Sequence, residues 1–398
     1  MSPFDLPPDH PFGPHHLPYG AVSVGDEVHL AVRLGEHALD LATAATGTPW
    51  APELARPTLN AFLDLGPSAW SGLRSWLQEE IGDPEGRERL TPHLLPLAGR
   101  PVHLPFRVRD YVDFYASEQH ATNVGSIFRP DGDALTPNWK HLPIGYHGRS
   151  STVVVSGTDV VRPCGQRKGP TDPAPVFGPS VRLDIEAELG FVVGGATPVG
   201  SRVAVDEAGE HLFGVALFND WSARDVQAWE YVPLGPFLGK SFASSLAAWI
   251  TPMAALEGAR VPLPAQDPTP LPYLQGADLF GLDLTMEVSL NGTVVSRPPY
   301  RTMYWSPTQM LAHLTVNGAS LSSGDLFASG TTSGDAVQER GSLLELTWNG
   351  TTPLTLPDGS TRTFLEDGDT VTIRATAPGP AGSVLGLAEV TGTVRPAV

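Results

Sequence analysis

Lysine is scarce in this chain. Lys140, Lys168 and Lys240 are the three lysines among 25 basic residues, and all the others are arginines. A compositional bias explains the scarcity most simply, yet it makes each retained lysine a candidate for a placed role. Basic side chains are in deficit overall, with 43 acidic residues and a formal charge of -18. That balance excludes the broad basic surface a nucleic-acid phosphate backbone requires and disfavours an anionic membrane surface. It leaves an anionic small molecule open, because a local group of cations can oppose the global field. Cysteine occurs once, at Cys164. An internal disulfide is therefore excluded, and so is a typical cysteine-based structural zinc site. Long apolar runs are missing too: no stretch approaches the roughly 18 residues that suggest a membrane span. The opening Met-Ser-Pro-Phe-Asp lacks a basic region followed by an apolar one, so no signal peptide is expected. A soluble cytoplasmic protein is the expectation.

The 398 residues suffice for two domains, and 41% hydrophobic content supplies a core. The 42 glycines and 40 prolines are spread between apolar runs, which reads as turns and ordered loops. Residues 1–105 form a first unit. It has strand patterns at 21–24 and 28–32, a helical region over 59–81 interrupted by Gly66-Pro67, and a Pro-rich passage at 92–105 suited to a linker. From Tyr111 onward β signals dominate: 151–156, 181–193, 212–218, 343–348 and 370–375. Residues 282–297 read as a hairpin through Asn291-Gly292. One helix is expected over 304–314, with Ser306 as N-cap and Pro307 in its first turn. Many strands and few helices imply a mainly β protein, a sandwich or barrel-like domain.

Several segments carry chemistry. If 181–193 is one strand, Val181, Leu183, Ile185 and Ala187 share a face, and Arg182, Asp184, Glu186 and Glu188 share the other. Taken alone, three acids on one face are more simply a solvated surface. The alternative is a carboxylate cluster relieved by a hard cation. Asp220 ends an apolar strand, either as a helix N-cap or as a carboxylate at a site. Arg224, Gln227 and Tyr231 fall on one helical face, with Pro233 limiting the helix. Asp113, Tyr115 and His120 lie within eight residues and make a general-base histidine reasonable. Arg129 follows, and 142–149 reads as a polar, glycine-rich loop, functional or merely rigid. The segment Gly235-Pro236-Phe237-Leu238-Gly239-Lys240-Ser241 has three residues between its glycines where a phosphate loop needs about four, so that reading is rejected. No Gly-x-Ser-x-Gly or His-Glu-x-x-His is present.

Together these strings resemble the fumarylacetoacetase family: DFYASEQHATNV at 113–124, NWKHLPIGYHGRS at 138–150, NDWSARD at 219–225, WEYVPLGPFLGKS at 229–241, ASGT at 328–331 and LLEL at 343–346. Shorter matches are LPYG at 17–20, MYW at 303–305 and TVNG at 315–318, so the likeness covers nearly the whole chain. The resemblance implies a small SH3-like β-barrel domain over 1–105, then a large β-sandwich or β-roll catalytic domain over 106–398, and a homodimer. It implies hydrolysis of fumarylacetoacetate to fumarate and acetoacetate, the last step of tyrosine and phenylalanine breakdown. It also implies that Asp113, Glu186, Glu188 and Asp220 are metal ligands. An all-carboxylate set suits Mg²⁺ or Ca²⁺. His120 is implied as the base and Glu345 as its orienter. Arg224, Gln227 and Lys240 are implied to stabilise an oxyanion, while Tyr115, Arg129, Tyr146, Gln227, Tyr231 and Thr331 hold substrate. Lys240 and Ser244 fall at a secondary cation position, where the family more often has Gly and Thr at 243 and 244. Asp184 is left with a structural role. The nearest alternative is a related diketo-acid hydrolase of acylpyruvate type. That group normally lacks the extended N-terminal region and the full YVPLGPFLGKS segment. A non-catalytic cation-binding scaffold is a third reading, which would predict loss of His120 or Lys240.

Overall fold

A computed structural model describes residues 3–7, 9–169 and 171–398. Among these residues, one sheet of thirteen strands runs through the molecule. It begins with the meander Leu94–Pro96, His37–Asp40, Glu27–Leu34 and Tyr19–Val24. It continues through Trp249–Pro252, Leu212–Asp220, Ala187–Val193, Leu326–Ala328 and Tyr111–Phe114, and ends at Gly145–His147. A second, five-stranded sheet is built around Thr285–Leu290, Thr370–Pro378 and Val384–Arg395. Its last long strand packs across Leu212–Asp220 and Trp249–Pro252, which gives the larger part of the chain two β layers over one continuous apolar core. The mainly β expectation therefore holds. The N-terminal strands pair as an open meander, and among the described residues no pairing closes them into a barrel.

Local chemistry explains most elements. Asn291 and Gly292 both adopt positive φ, as a two-residue hairpin turn requires, between Thr285–Leu290 and Thr293–Ser296. Gly66 turns with φ 78° and Pro67 opens the helix Pro67–Gly82, so the interruption read at that dipeptide separates two helices. The helix Pro307–Thr315 starts with a capping box between Ser306 and Gln309.

Three readings need correction. The Pro-rich 92–105 passage is no free linker, because Leu94–Pro96 pairs with His37–Asp40 and Val102–His103 pairs with Tyr19–Val24. Residues 181–193 do not form one strand; Leu183–Asp184 and Ala187–Val193 are separate, with Ile185 and Glu186 between them. The run at 343–348 contains the helix Leu343–Leu346 rather than a strand. A short apolar run has no periodicity by which to tell the two apart, and here tertiary hydrogen bonds to the helix start decide it.

The N-terminal segment is fixed to the main sheet by His16, which is fully buried. One ring nitrogen lies 2.9 Å from the Pro11 carbonyl oxygen and the other 2.8 Å from the Thr251 hydroxyl. Burial pushes its pKa down to about 3, with the charges of Arg74 and Arg33 acting the same way against the Pro11 hydrogen bond. The folded state keeps His16 neutral while the unfolded chain takes up a proton near pH 6.5. The stability this arrangement provides is therefore complete above that pH and falls on acidification, by about 1.4 kcal/mol per pH unit, until pH approaches the folded value. Melting curves between pH 7 and 4 should fall less steeply for His16→Gln than for the parent. Equal slopes would remove His16 as a source of acid lability.

Candidate active site

Strand order brings the carboxylates together. Leu212–Asp220, Ala187–Val193, Leu326–Ala328 and Tyr111–Phe114 are consecutive neighbours in the sheet. Asp220 ends the first, Glu188 lies near the start of the second, and Asp113 lies near the end of the fourth. Glu186 is in the break just before Ala187–Val193. Asp113, Glu186 and Glu188 each offer an oxygen within 4.8 Å of the others, and all three residues are buried. Asp113 Oδ1 and Glu188 Oε1 are buried acceptors without a hydrogen-bond partner among the described residues. Burial raises both carboxyls well above the usual carboxylate range, with Asp220 the next cause for Asp113, and Asp113 the next for Glu188. Two orphaned hard oxygens inside a ring of acids fit a divalent cation. The solvated-surface reading of these acids is excluded by their burial.

Asp220 stands beside this trio with its oxygens engaged. Oδ1 accepts from the Ser244 hydroxyl at 2.8 Å, and Oδ2 accepts from the Tyr146 hydroxyl at 2.8 Å and Lys240 Nζ at 2.7 Å. Strand register accounts for these neighbours, since Asp220 is opposite Ser244 and Asp113 opposite Tyr146. The N-cap reading of Asp220 fails, because the helix Arg224–Glu230 is preceded by Ala223. Lys240 also bonds to Glu186, and Arg224 Nη2 donates to Glu186 Oε1 at 2.8 Å. For Glu186, burial is outweighed by Arg224, Lys240 and His120, and its carboxyl lies below the ordinary range. Burial opposes charge on Lys240 as well, yet Asp220 and Glu186 hold its pKa above the usual lysine value. The other two lysines have different fates: Lys140 pairs with Glu118 in a half-exposed bridge, and Lys168 lies over the Trp229 ring.

His120 comes from the first turn of the helix Glu118–Phe128, whose N-cap Ser117 accepts the His120 amide. Its Nδ1 lies 2.7 Å from Glu345 Oε2. Glu345 also accepts from Asn123, Ser333 and Ser342, at 2.9, 3.0 and 2.8 Å. Although burial works against it, His120, Asn123 and Ser342 hold the Glu345 carboxyl below its usual pKa. An ionised Glu345 can only accept, so Nδ1 carries the hydrogen and Nε2 is the nitrogen left facing the cluster. Nε2 lies 3.7 Å from Glu186 Oε1, beside the cluster and beyond a direct hydrogen bond.

Glycine makes two close approaches possible. Gly330, with φ 76°, donates its amide to Glu188 Oε2 at 3.0 Å, and a Cβ there would meet the Phe114 carbonyl oxygen at 2.2 Å. A Cβ on Gly239 would meet Gln227 N at 2.8 Å, so its absence lets the loop carrying Lys240 lie on the helix Arg224–Glu230.

The remaining sequence-read residues surround this centre at different depths. Tyr115 stacks edge-on against His120, with ring centroids 5.3 Å apart. Burial, then Glu345 and Glu186, raise its phenol pKa, while Arg224 and Arg129 pull it down. Arg129 is exposed, and its guanidinium donates to the carbonyls of Asp133 and Ala134. The Thr331 hydroxyl is buried without a partner among the described residues. Gln227 Oε1 lies 3.4 Å from Arg224 Nη1. Tyr231 caps the end of its helix, is 49% exposed and, among the described residues, makes no side-chain hydrogen bond. A cavity of ≈ 300 Å³, lined in part by Tyr146, Arg149, Phe237 and Lys240, opens beside the cluster. Sequence reasoning missed Asn123, Ser333 and Ser342. Asn123 had a detectable signal, three residues beyond His120 on one helical face; the serines had none.

A mainly β scaffold that buries a carboxylate cluster between a His–Glu pair and two fixed cations is the framework of a metal-assisted hydrolase. Residues 15–105 match the family described as Fumarylacetoacetase N-terminal, and residues 110–395 match Fumarylacetoacetate (FAA) hydrolase C-terminal. The chain belongs to the fumarylacetoacetase family. It is 44% identical to the human fumarylacetoacetase over 417 residues, covering 100% of this chain and 99% of that one. It is 42% identical to the Arabidopsis thaliana fumarylacetoacetase, covering 98% and 97%. Among solved structures, a fumarylacetoacetate hydrolase from psychrophilic Exiguobacterium antarcticum superposes with TM-score 0.54 at 16% identity, covering 96% of this chain and 99% of that one. That last likeness speaks for the fold.

Proposed function

We propose that this protein hydrolyses fumarylacetoacetate to fumarate and acetoacetate, the closing step of tyrosine and phenylalanine breakdown. The observation that carries the reading is the burial of the His120–Glu345 pair directly against the acidic trio, within a chain alike end to end to fumarylacetoacetases. Asp113, Glu186, Glu188 and Asp220 would hold Mg²⁺ or Ca²⁺, the hard cations that an all-oxygen donor set prefers. When bound, such a cation would supply the positive charge that lets the acetoacetate half of a 1,3-diketone leave as its enolate.

The chain's own residues carry the proton and orientation. His120 Nε2 takes a proton from water as the oxygen adds to the fumaryl carbonyl carbon. Arg224 and Lys240, fixed before substrate arrives, face the charge that develops on the carbonyl oxygen, with Gln227 beside Arg224. The carbon–carbon bond to the acetoacetyl methylene then breaks, and protonated His120 returns its proton to that carbon. Glu345 keeps Nδ1 protonated throughout and steadies the cationic ring. Tyr115, Arg129, Tyr146, Gln227, Tyr231 and Thr331 are read as substrate contacts, and Ser244 with Lys240 as the secondary cation position. We read 1–105 as the N-terminal domain and 106–398 as the catalytic domain, in a cytoplasmic homodimer. The two matched family segments support the division. No helix among the described residues is long and apolar enough to cross a membrane.

The test is direct. Protein stripped with EDTA is given fumarylacetoacetate with and without Mg²⁺, while loss of the diketone absorbance and release of both products are followed. Metal-dependent formation of fumarate and acetoacetate is expected. No turnover by folded, metal-binding protein would overturn the reading and leave smaller acylpyruvates as candidates. Metal alone should also raise the melting temperature, by an amount equivalent to about 2.7 kcal/mol at a hundred times Kd. That gain should vanish in Asp113→Asn, and its survival there would remove Asp113 from the ligand set.

A further inference from the structure

Asp184 has no place in the reaction just described, yet it is fully buried and accepts four hydrogen bonds. Its Oδ1 receives the amides of Ile185 at 2.8 Å and Leu343 at 2.7 Å. Its Oδ2 receives Arg224 Nε at 2.8 Å and the Leu344 amide at 3.1 Å. Two of these donors are the first amides of the helix Leu343–Leu346, which carries Glu345. A helix start leaves such amides without internal partners, and Asp184 fills that need where a purely apolar site would leave them orphaned. Ser342 completes the start by accepting the Glu345 amide at 3.3 Å.

The contacts close a ring. Asp184 holds Arg224; Arg224 Nη2 holds Glu186 Oε1; Glu186 Oε1 lies 3.7 Å from His120 Nε2; and His120 Nδ1 bonds Glu345, whose helix begins on Asp184. Every side chain in the ring is at most 6% exposed. We propose that Asp184 is a positioning residue that fixes the distance between the histidine base and the arginine that meets the developing oxyanion, by holding Arg224 and the Glu345 helix on one carboxylate. The proposal rests on the hydrolase reading above. Misplacing a reacting group by about 1 Å can cost about a hundredfold in rate, which sets the size of effect to look for.

A planar carboxylate suits this task because all four donors point inward. An asparagine at 184 keeps one accepting oxygen and sets its amide group either against the Ile185 and Leu343 amides or against Arg224 and the Leu344 amide, so one side of the junction is repelled. Substrate and metal contacts remain, which places the expected loss in kcat rather than in binding.

The experiment compares the parent enzyme, Asp184→Asn, Arg224→Gln and the double variant, with kcat, KM for fumarylacetoacetate and Mg²⁺ affinity measured on protein shown to be folded by circular dichroism. Asp184→Asn is expected to lower kcat by about 100-fold, with KM and Mg²⁺ affinity within about threefold of the parent. The double variant should be no slower than Arg224→Gln by more than about threefold, because Asp184 acts partly through that arginine. A parent-like kcat, a loss confined to KM, or losses that multiply in the double variant would overturn the proposal. If Asp184→Asn does not fold, Ser342→Ala loosens the same helix start while leaving Asp184 and Arg224 in place, and removes one of the donors to Glu345. Its kcat loss must then be non-additive with Arg224→Gln, and additivity would overturn the ring. Should the parent itself fail to turn over substrate, the hydrolase reading falls first and the outcome is distinguishable.

Discussion

Replacing His120 with alanine is expected to lower kcat by about 10²–10⁴-fold, the range typical of a positioned general base, while Mg²⁺ affinity stays close to the parent. The expectation follows from the division of labour at the ring. Nδ1 is committed to Glu345, at 2.7 Å, and Nε2 is left facing the carboxylate cluster. Asn123, Ser333 and Ser342 hold that glutamate from separate segments, so the imidazole cannot swing without breaking several bonds. His120 donates no ligand to the acidic trio. Its removal should therefore show in kcat, in single-turnover rates and in loss of the proton-transfer step, with metal titrations unchanged. Glu345→Gln should fall between parent and His120→Ala, since it weakens orientation without deleting the base. A His120→Ala enzyme within tenfold of the parent would assign the base elsewhere.

The second large effect belongs to Lys240→Met, and here stability and activity should both suffer. At the site six buried carboxyl groups, those of Asp113, Asp184, Glu186, Glu188, Asp220 and Glu345, stand against two buried cations, Arg224 and Lys240. Removing one partner of a buried ion pair typically costs about 3–5 kcal/mol, because the surviving charge has lost its compensation. Lys240 serves two carboxylates, Glu186 and Asp220, so the upper half of that range is expected. A divalent cation brings positive charge to the same cluster. The melting temperature lost in Lys240→Met should accordingly be partly regained on adding Mg²⁺, and more so than in the parent. The rate should drop by about 10²–10³-fold as well, the usual effect of deleting one oxyanion donor. Lys240→Arg would not repair it, since a planar fork cannot reproduce the compact ammonium between two carboxylates. Parent-like melting of Lys240→Met without metal would contradict the charge accounting.

Much of this site was legible in the chain itself, for identifiable reasons. Asp113, Tyr115 and His120 stood within eight residues, and the Ser117 N-cap that fixes His120 is a local effect of sequence. The hairpin at Asn291-Gly292 and the capped helix at Ser306 needed nothing beyond neighbouring residues. The scarcity of lysine drew attention to Lys240, and it is the buried one of the three. Other features could not be read this way. Alternation along 181–193 grouped Asp184 with Glu186 and Glu188 on one face, but the strand breaks between Asp184 and Ala187. Asp184 and Glu186 meet Arg224, whereas Glu188 turns to Gly330 and the unsatisfied oxygens near Asp113.

The sequence by itself determined the β-rich class, the turns, the helix caps and the identity of the chemical groups, because each depends on contacts within a few residues or on patterns of two and 3.6. It also determined the family likeness, through strings such as NDWSARD. Tertiary structure decided the rest. It decided that the acids are buried rather than solvated, since burial depends on which strands lie side by side, and the paired strands Tyr111–Phe114 and Leu326–Ala328 are far apart in the chain. It decided that 343–346 is helical, because the amides of that short run are satisfied by Asp184, 159 and 160 positions away. And it decided which nitrogen of His120 faces the cluster, because Glu345 lies 225 positions further along the chain and only the fold sets the two side by side.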